Sequence, residues 1–269
     1  MLKKPLRFLQ PTKLNPSYPL FIFLPGMDGT GQLLRSQLKR LGAIFDIRCL
    51  SLPPDDLSNW EGLVVETIKL IEIERQKDKN RPVYLCGESF GGCLVLKLAT
   101  YAPNLFDRLI LINPASSFRH QQWMHWGGLI IPWLPERFYE LSTVGLLPFL
   151  VAPDRVSLPN RRALLEAMQS VTTESAGWRL SLLSQFRLEE LPLDMLKQPV
   201  LIIAGGADRL LPSRNEAQRL AAYLPNAQTT LLPESGHACL LEAEVNLDKI
   251  LQWHSFLDSP DACSLLPRA

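Results

Sequence analysis

Leu20-Phe-Ile-Phe-Leu24 is five apolar residues in a row, ended by Pro25-Gly26. A short run without polar alternation reads as a strand buried on both faces. The pattern returns at Phe45–Leu50, Pro82–Cys86, Arg108–Ile112, Pro199–Ala204 and Gln228–Leu232. Between these runs lie stretches of helical period: Gln32–Leu41, Gly62–Glu74, Gly92–Tyr101, Asn215–Leu224 and Glu242–Leu257. Strand alternating with helix predicts an α/β fold, a mostly parallel sheet with helices on both faces and right-handed crossovers.

The alternation lapses once. No clear strand occurs from Ala115 to Leu191, a stretch holding Trp123, Trp126, Trp133 and Trp178. It reads as a helical cap inserted over one end of the sheet. The expected organisation is a first core part at 1–114, the cap at 115–191, a second core part at 192–258 and a loose tail at 259–269. A chain of 269 residues, 46% of them hydrophobic, has ample material for one large core.

Charge narrows the function classes. Lysine and arginine number 28 against 27 acidic residues, with no basic stripe, so nucleic acid is not an expected partner. The five scattered cysteines form no Cys-x-x-Cys pair, which argues against a disulfide framework or a thiolate zinc site and fits a reducing compartment. Prolines 5, 11, 16 and 19 interrupt the start of the chain, so no signal peptide is read there, and no apolar run approaches the ~20 residues of a membrane span. The expectation is a cytoplasmic protein, at most peripheral to membranes.

Candidate chemistry sits at the strand ends. Gly87-Glu-Ser89-Phe-Gly91 follows the strand ending at Cys86 and opens the helix beyond it. Gly-x-Ser-x-Gly alone arises by chance in about one chain in ten of this length. Its place between strand and helix is what raises it: a tight turn there lifts the Ser89 hydroxyl out of the sheet, and the flanking glycines avoid collisions. Serine needs a base, and His237, in Pro233-Glu-Ser-Gly-His237, lies just after the last strand. His254 on the last helix, and His120 and His125 in the cap, read as packing or surface residues. The base needs an acid. Asp208 ends the strand run that begins at Pro199, while the rival Glu234 is only three residues from His237. Two backbone donors are expected to hold an oxyanion: Phe90 N–H, after the nucleophile, and Met27 N–H, where Gly26 leaves room for close approach. If the first two strands are central, the sheet order reverses between Leu20–Leu24 and Pro82–Cys86, and Met27 and Ser89 become neighbours at that switch point.

The order Ser, Asp, His resembles the α/β-hydrolases, over essentially the whole chain. Phe23-Leu-Pro-Gly-Met-Asp-Gly-Thr-Gly31, the elbow through Cys93, and Leu111-Ile-Asn-Pro-Ala-Ser-Ser-Phe118 resemble the hydrolase half of the phytyl ester synthases. That resemblance implies the α/β-hydrolase fold and acyl chemistry. The family joins fatty acyl groups to phytol, and some members to diacylglycerol, from galactolipids, acyl-CoA or acyl carrier protein. Its plant members carry a further acyltransferase domain with a His-x4-Asp pattern, which these 269 residues lack. The resemblance therefore carries the serine chemistry further than the phytol acceptor. The two antiparallel strands that usually open the fold are expected to be missing or reduced, since 19 residues precede Leu20.

The expected activity is acyl transfer from lipophilic esters or thioesters through an acyl-enzyme on Ser89, with no cofactor or metal. The expected partner is a small lipophilic acyl substrate, with transient membrane-surface contact through the cap. Gly26, Trp123, Trp126 and Trp133 are the candidate substrate-binding residues; the tryptophans either line an apolar tunnel or pack the cap onto the sheet. Two other readings stand beside this one. One is a small-molecule carboxylesterase or menaquinone-pathway-type hydrolase or lyase. The other is a non-catalytic ligand-binding protein on the same fold.

Overall fold

A computed structural model describes residues 5–121 and 135–257. Its core begins with the apolar runs. β2 (Leu20–Leu24) is buried at every position. Its side chains alternate between two cores, as period-2 geometry requires: Leu20, Ile22 and Leu24 enter one, Phe21 and Phe23 the other. Around it lie β1 (Arg7–Leu9), β3 (Asp46–Ser51), β4 (Val83–Glu88), β5 (Arg108–Ile112), β6 (Val200–Gly205) and β7 (Ala227–Leu232). The sheet order is β1-β3-β2-β4-β5-β6-β7. All pairings are parallel except β1 with β3. β1 pairs Phe8 with Leu50 and is the one reduced antiparallel strand before the parallel set; its three residues are too few to show a period. The order reverses between β2 and β4, and the strand ends there carry Pro25-Gly26 and Ser89.

Helices cover both faces. α1 (Leu38–Leu41) packs on the face of Phe21. α2 (Trp60–Arg75) and α3 (Phe90–Tyr101) pack on the opposite one. Between β5 and β6 come α4 (Glu136–Leu150), α5 (Leu158–Gln169) and α6 (Thr173–Gln185). α7 (Ser213–Tyr223) joins the face of α2 and α3, and α8 (Leu247–Trp253) that of α1. Among the described residues, no helix is long and apolar enough to cross a membrane.

Within 115–191 the described residues form helices and turns, with one isolated bridge between Val156 and Glu242. They are not one layer. α6 lies directly on the sheet core through Leu180, Leu182 and Leu183. Its polar groups fasten to the loop after β3: Trp178 Nε1 donates to Ser58 O at 3.0 Å and Ser175 Oγ to Asp56 O at 2.7 Å. α5 and the end of α4 instead contribute to a smaller cluster with Leu33, Ala238 and Leu241. Trp123, Trp126 and Trp133, and the tail at 259–269, lie outside the described residues.

Two predicted helices are shorter than their apolar period suggests. Gln32–Leu41 is a 3-10 turn (Leu33–Ser36) followed by α1. Between them the Gln37 side chain is buried, donates to Leu240 O and Val245 O at 2.9 Å each, and accepts from Leu247 N–H at 3.0 Å. Glu242–Leu257 reduces to α8. The Glu242 carboxylate is buried, taking Arg155 Nε, Ser235 Oγ and Gly236 N–H at 2.8 Å each. Tertiary partners override helix propensity at both sites.

The elbow is the tightest point of the fold. A Cβ at Gly91 would stand 2.1 Å from Leu24 O. Gly91→Ala is therefore expected to lower unfolding free energy by about 3 kcal/mol. Urea denaturation checks it; a change below ~0.5 kcal/mol, typical of surface substitutions, would contradict the close approach.

Candidate active site

Ser89 sits between β4 and α3 with φ 54° and ψ −114°, a left-handed backbone rare for a residue with a Cβ. Its neighbours hold it there. Ser89 N–H donates to Ile112 O at 2.9 Å, and Ser89 O accepts from Gly92 N–H and Ala115 N–H at 3.0 Å each. Glycines at 87 and 91 give the turn its room, and the side chain stands clear of the sheet.

Ser89 Oγ lies 2.8 Å from His237 Nε2, and His237 Nδ1 lies 2.7 Å from Asp208 Oδ2. Asp208 is fixed on both oxygens. Oδ1 accepts from Leu210 and Leu211 N–H at 2.8 and 3.0 Å, and Oδ2 from Ser213 Oγ at 2.5 Å. Burial alone would raise this carboxyl, but His237 and these donors hold it below its ordinary value. Burial likewise disfavours the His237 cation, yet the Asp208 and Glu88 carboxyls outweigh it and raise the imidazole above its ordinary value. The rival acid Glu234 is exposed and pairs with Arg155 Nη1 at 2.8 Å. His254 bonds Thr230 Oγ1 and, at 2.9 Å, Gln228 Oε1, far along the sheet edge. His120 lies against Arg119 at the surface. His125 is outside the described residues.

The two expected oxyanion donors flank Ser89. Phe90 begins α3, so its N–H has no preceding turn to bond; its ring stacks on Trp60 at 4.8 Å between centroids. Gly26 abuts the nucleophile: a Cβ there would stand 3.7 Å from Ser89 Cβ. The loop closes as a turn in which Gly29 N–H donates to Gly26 O at 3.0 Å. Asp28 shapes it, its Oδ2 accepting from Thr30 N–H at 2.8 Å and Thr30 Oγ1 at 2.5 Å.

Three residues of the site escape motif reading. Asn113 has φ 41°, a conformation asparagine tolerates. Its amide donates to His237 O at 2.7 Å and Gly236 O at 3.2 Å, and its carbonyl accepts from Gly205 N–H at 2.7 Å. It ties the histidine loop to β5 and β6; Asn before proline at a strand end was the available signal. Glu88, inside the elbow itself, is buried, and its Oε1 has no partner among the described residues. Burial, with Asp28 adding to it and His237 opposing, pushes its carboxyl up to about 8. Arg179 on α6 reaches the Met27 carbonyl, and no local pattern announces it.

Above Ser89 opens a cavity of about 240 Å³. Gly26, Met27, Glu88 and His237 line its floor. Its walls are helical and apolar: Leu146 and Leu150 from α4, Leu164 and Met168 from α5, Leu180 from α6. The cysteines at 86 and 93 are buried beneath, their thiols pushed up by burial, as small core residues.

The sequence profile of serine aminopeptidase S33 matches residues 55–244. Phytyl ester synthase 1, chloroplastic, of Arabidopsis thaliana is 33% identical over 257 residues, covering 87% of this chain and 36% of the relative. Phytyl ester synthase 2, chloroplastic, of the same plant is 29% identical over 265 residues, covering 88% and 38%. The chain thus spans little more than a third of these curated relatives. MenH from S. aureus superposes with a TM-score of 0.73 at 18% identity, over 93% of this chain and 97% of that one, a likeness of fold. The protein is a serine α/β-hydrolase. The profile runs from before α2 to beyond His237, across the elbow and the whole helical insertion, and the chain therefore belongs to the serine aminopeptidase S33 family of α/β-hydrolases.

Proposed function

We propose that the protein transfers acyl groups from lipophilic esters or thioesters through an acyl-enzyme on Ser89. The observation that carries this reading is the Ser89–His237–Asp208 relay at the floor of an apolar cavity. His237 takes the hydroxyl proton as Ser89 Oγ attacks the acyl carbon. Asp208 holds the imidazole tautomer and stabilises its cation. Met27 and Phe90 N–H receive the charge on the acyl oxygen. The leaving alcohol or thiol departs with the proton from His237, and water or an acceptor alcohol then reverses the sequence. The apolar walls take the acyl chain. The likeness to phytyl ester synthase 1 favours a long-chain alcohol such as phytol as acceptor over water alone.

The test is a purified enzyme supplied with a medium-to-long acyl ester, with and without phytol, products resolved by mass. Ser89→Ala is expected to lose at least ~10³-fold in turnover; wild-type rates in that variant would overturn the assignment. Ester product that requires both phytol and Ser89 supports transfer, while free acid alone reduces the reading to hydrolysis.

Proton transfer sets the pH dependence. His237 acts as base only when neutral, and its pKa lies above the ordinary 6.5. The profile of kcat/KM should therefore fall on an acid limb centred above pH 6.5; a limb at or below that value contradicts the raised imidazole.

Glu88 gives a stability signature. Its carboxyl ionises near 4.5 in the unfolded chain and near 8 in the fold. Between those values the folded state binds more protons, so this group's contribution to stability falls as pH rises. Glu88→Gln removes that loss. The stability gained over wild type should grow from pH 5 to pH 8 in paired urea titrations; a gain independent of pH would show that Glu88 is ionised in the fold.

A further inference from the structure

Arg179 is a buried cation that the relay does not use. It lies on α6, 1% exposed, within the helical insertion. Its Nη1 donates to Met27 O at 2.6 Å and its Nη2 to Pro53 O at 3.0 Å. One guanidinium thus cross-links three segments: the loop after β2, the loop after β3 and a helix more than 120 residues later in the chain. Its Nε has no partner among the described residues. A buried charge is costly: burial holds the Arg179 guanidinium below its ordinary value, and the nearby Asp28 and Asp56 carboxyls offset only part of that cost. The fork of donors is what an arginine supplies and a lysine does not.

The bond to Met27 O bears on the neighbouring donor. Met27 N–H and Met27 C=O belong to adjoining peptide planes joined only by the φ and ψ of Met27. The first plane is fixed because Gly26 O accepts from Gly29 N–H. In a trans peptide the Met27 N–H then points the opposite way, out of the turn. The second plane is fixed by Arg179. Crowding leaves that clamp little play: a Cβ at Gly29 would meet Arg179 Nη1 at 2.7 Å. Other bonds hold the loop as a loop, among them Leu52 N–H to Gly29 O at 2.8 Å and Asp28 to Thr30. Arg179 holds the second plane, not the donor's own, and so acts on the donor through the φ and ψ of Met27.

We propose that Arg179 is a positioning residue of the oxyanion hole, locking Met27 N–H in the orientation that receives transition-state charge and coupling that hole to the helical insertion. The inference rests on the acyl-enzyme reading. Displacing a donor by about 1 Å can cost ~10²-fold in rate without loss of binding.

The experiment compares wild type, Arg179→Met and Arg179→Lys. It measures kcat and KM on an acyl ester, and inhibition by a long-chain trifluoromethyl ketone and its plain methyl ketone. The first ketone forms a tetrahedral adduct with Ser89 whose oxyanion occupies the hole; the second fills only the cavity. Arg179→Met is expected to lower kcat and trifluoromethyl ketone affinity together, by ~10²-fold, with KM and methyl ketone affinity little changed. Arg179→Lys keeps a cation that reaches one carbonyl and should recover part of both. An unchanged kcat, or equal weakening of both ketones, would overturn the inference and leave Arg179 as packing. If Arg179→Met does not fold, Arg179→Lys alone decides, through a lowered kcat with unchanged methyl ketone affinity or through wild-type turnover. Absence of a Ser89 adduct in wild type would instead remove the acyl-enzyme reading itself, whatever Arg179 does.

Discussion

Ser89 can hold φ 54° only because both of its peptide groups are bonded and its neighbours at 87 and 91 carry no side chain. Such backbone conformations cost of order 1–3 kcal/mol and persist where the surroundings over-determine them. Here the surroundings are three strand ends. β4 delivers the serine, β5 accepts its N–H through Ile112, and β2 lies so close that Gly91 has no space for a methyl. Moving any of these strands would release the turn. The parallel sheet is thus the frame of the hydroxyl as well as the core of the protein.

The rest of the site adds parts to that fixed point, each from a different loop. The loop after β6 brings Asp208, and the loop after β7 brings His237. Asn113 braces the histidine loop from below. Glu242 braces it from its far side through Ser235 and Gly236. Ala238 N–H also donates to Leu150 O, at the end of α4, at 2.8 Å. The helical insertion therefore touches two loops of the site, that of His237 through α4 and that after β2 through α6. The cavity walls are made by elements that also hold polar groups of the site.

Strands were the most legible feature of the sequence, because burial on both faces leaves continuous apolar runs. Six of the seven fall within two residues of their expected bounds at both ends. β4 continues two residues further, into the elbow. Only β1 was missed, being three residues long and half-exposed. The serine, aspartate and histidine were legible because each stands at a strand end in a chain order shared by the fold. Gln37 and Glu242 broke two expected helices, since their partners are more than 200 residues away in one case and in a neighbouring loop in the other. Arg179 was illegible for a related reason. An arginine on an amphipathic helix reads as surface, and only the packing of α6 on the core turns it inward. The tryptophans singled out for the cavity at 123, 126 and 133 lie outside the described residues.

The long-range bonds of Gln37 have a consequence for the order in which the molecule becomes competent. Ser89 and His237 are separated by 148 positions, and the histidine loop is followed by the segment that Gln37 grips from 203 to 210 positions away. Contacts between positions so far apart in the chain slow folding. A partly folded chain can thus build the elbow from β2, β4 and β5 while its hydroxyl has no base to take the proton. The hydroxyl meets its imidazole only where the last strand and the segment beyond it are docked, so the two ends of the chain must both be in place before Ser89 and His237 touch.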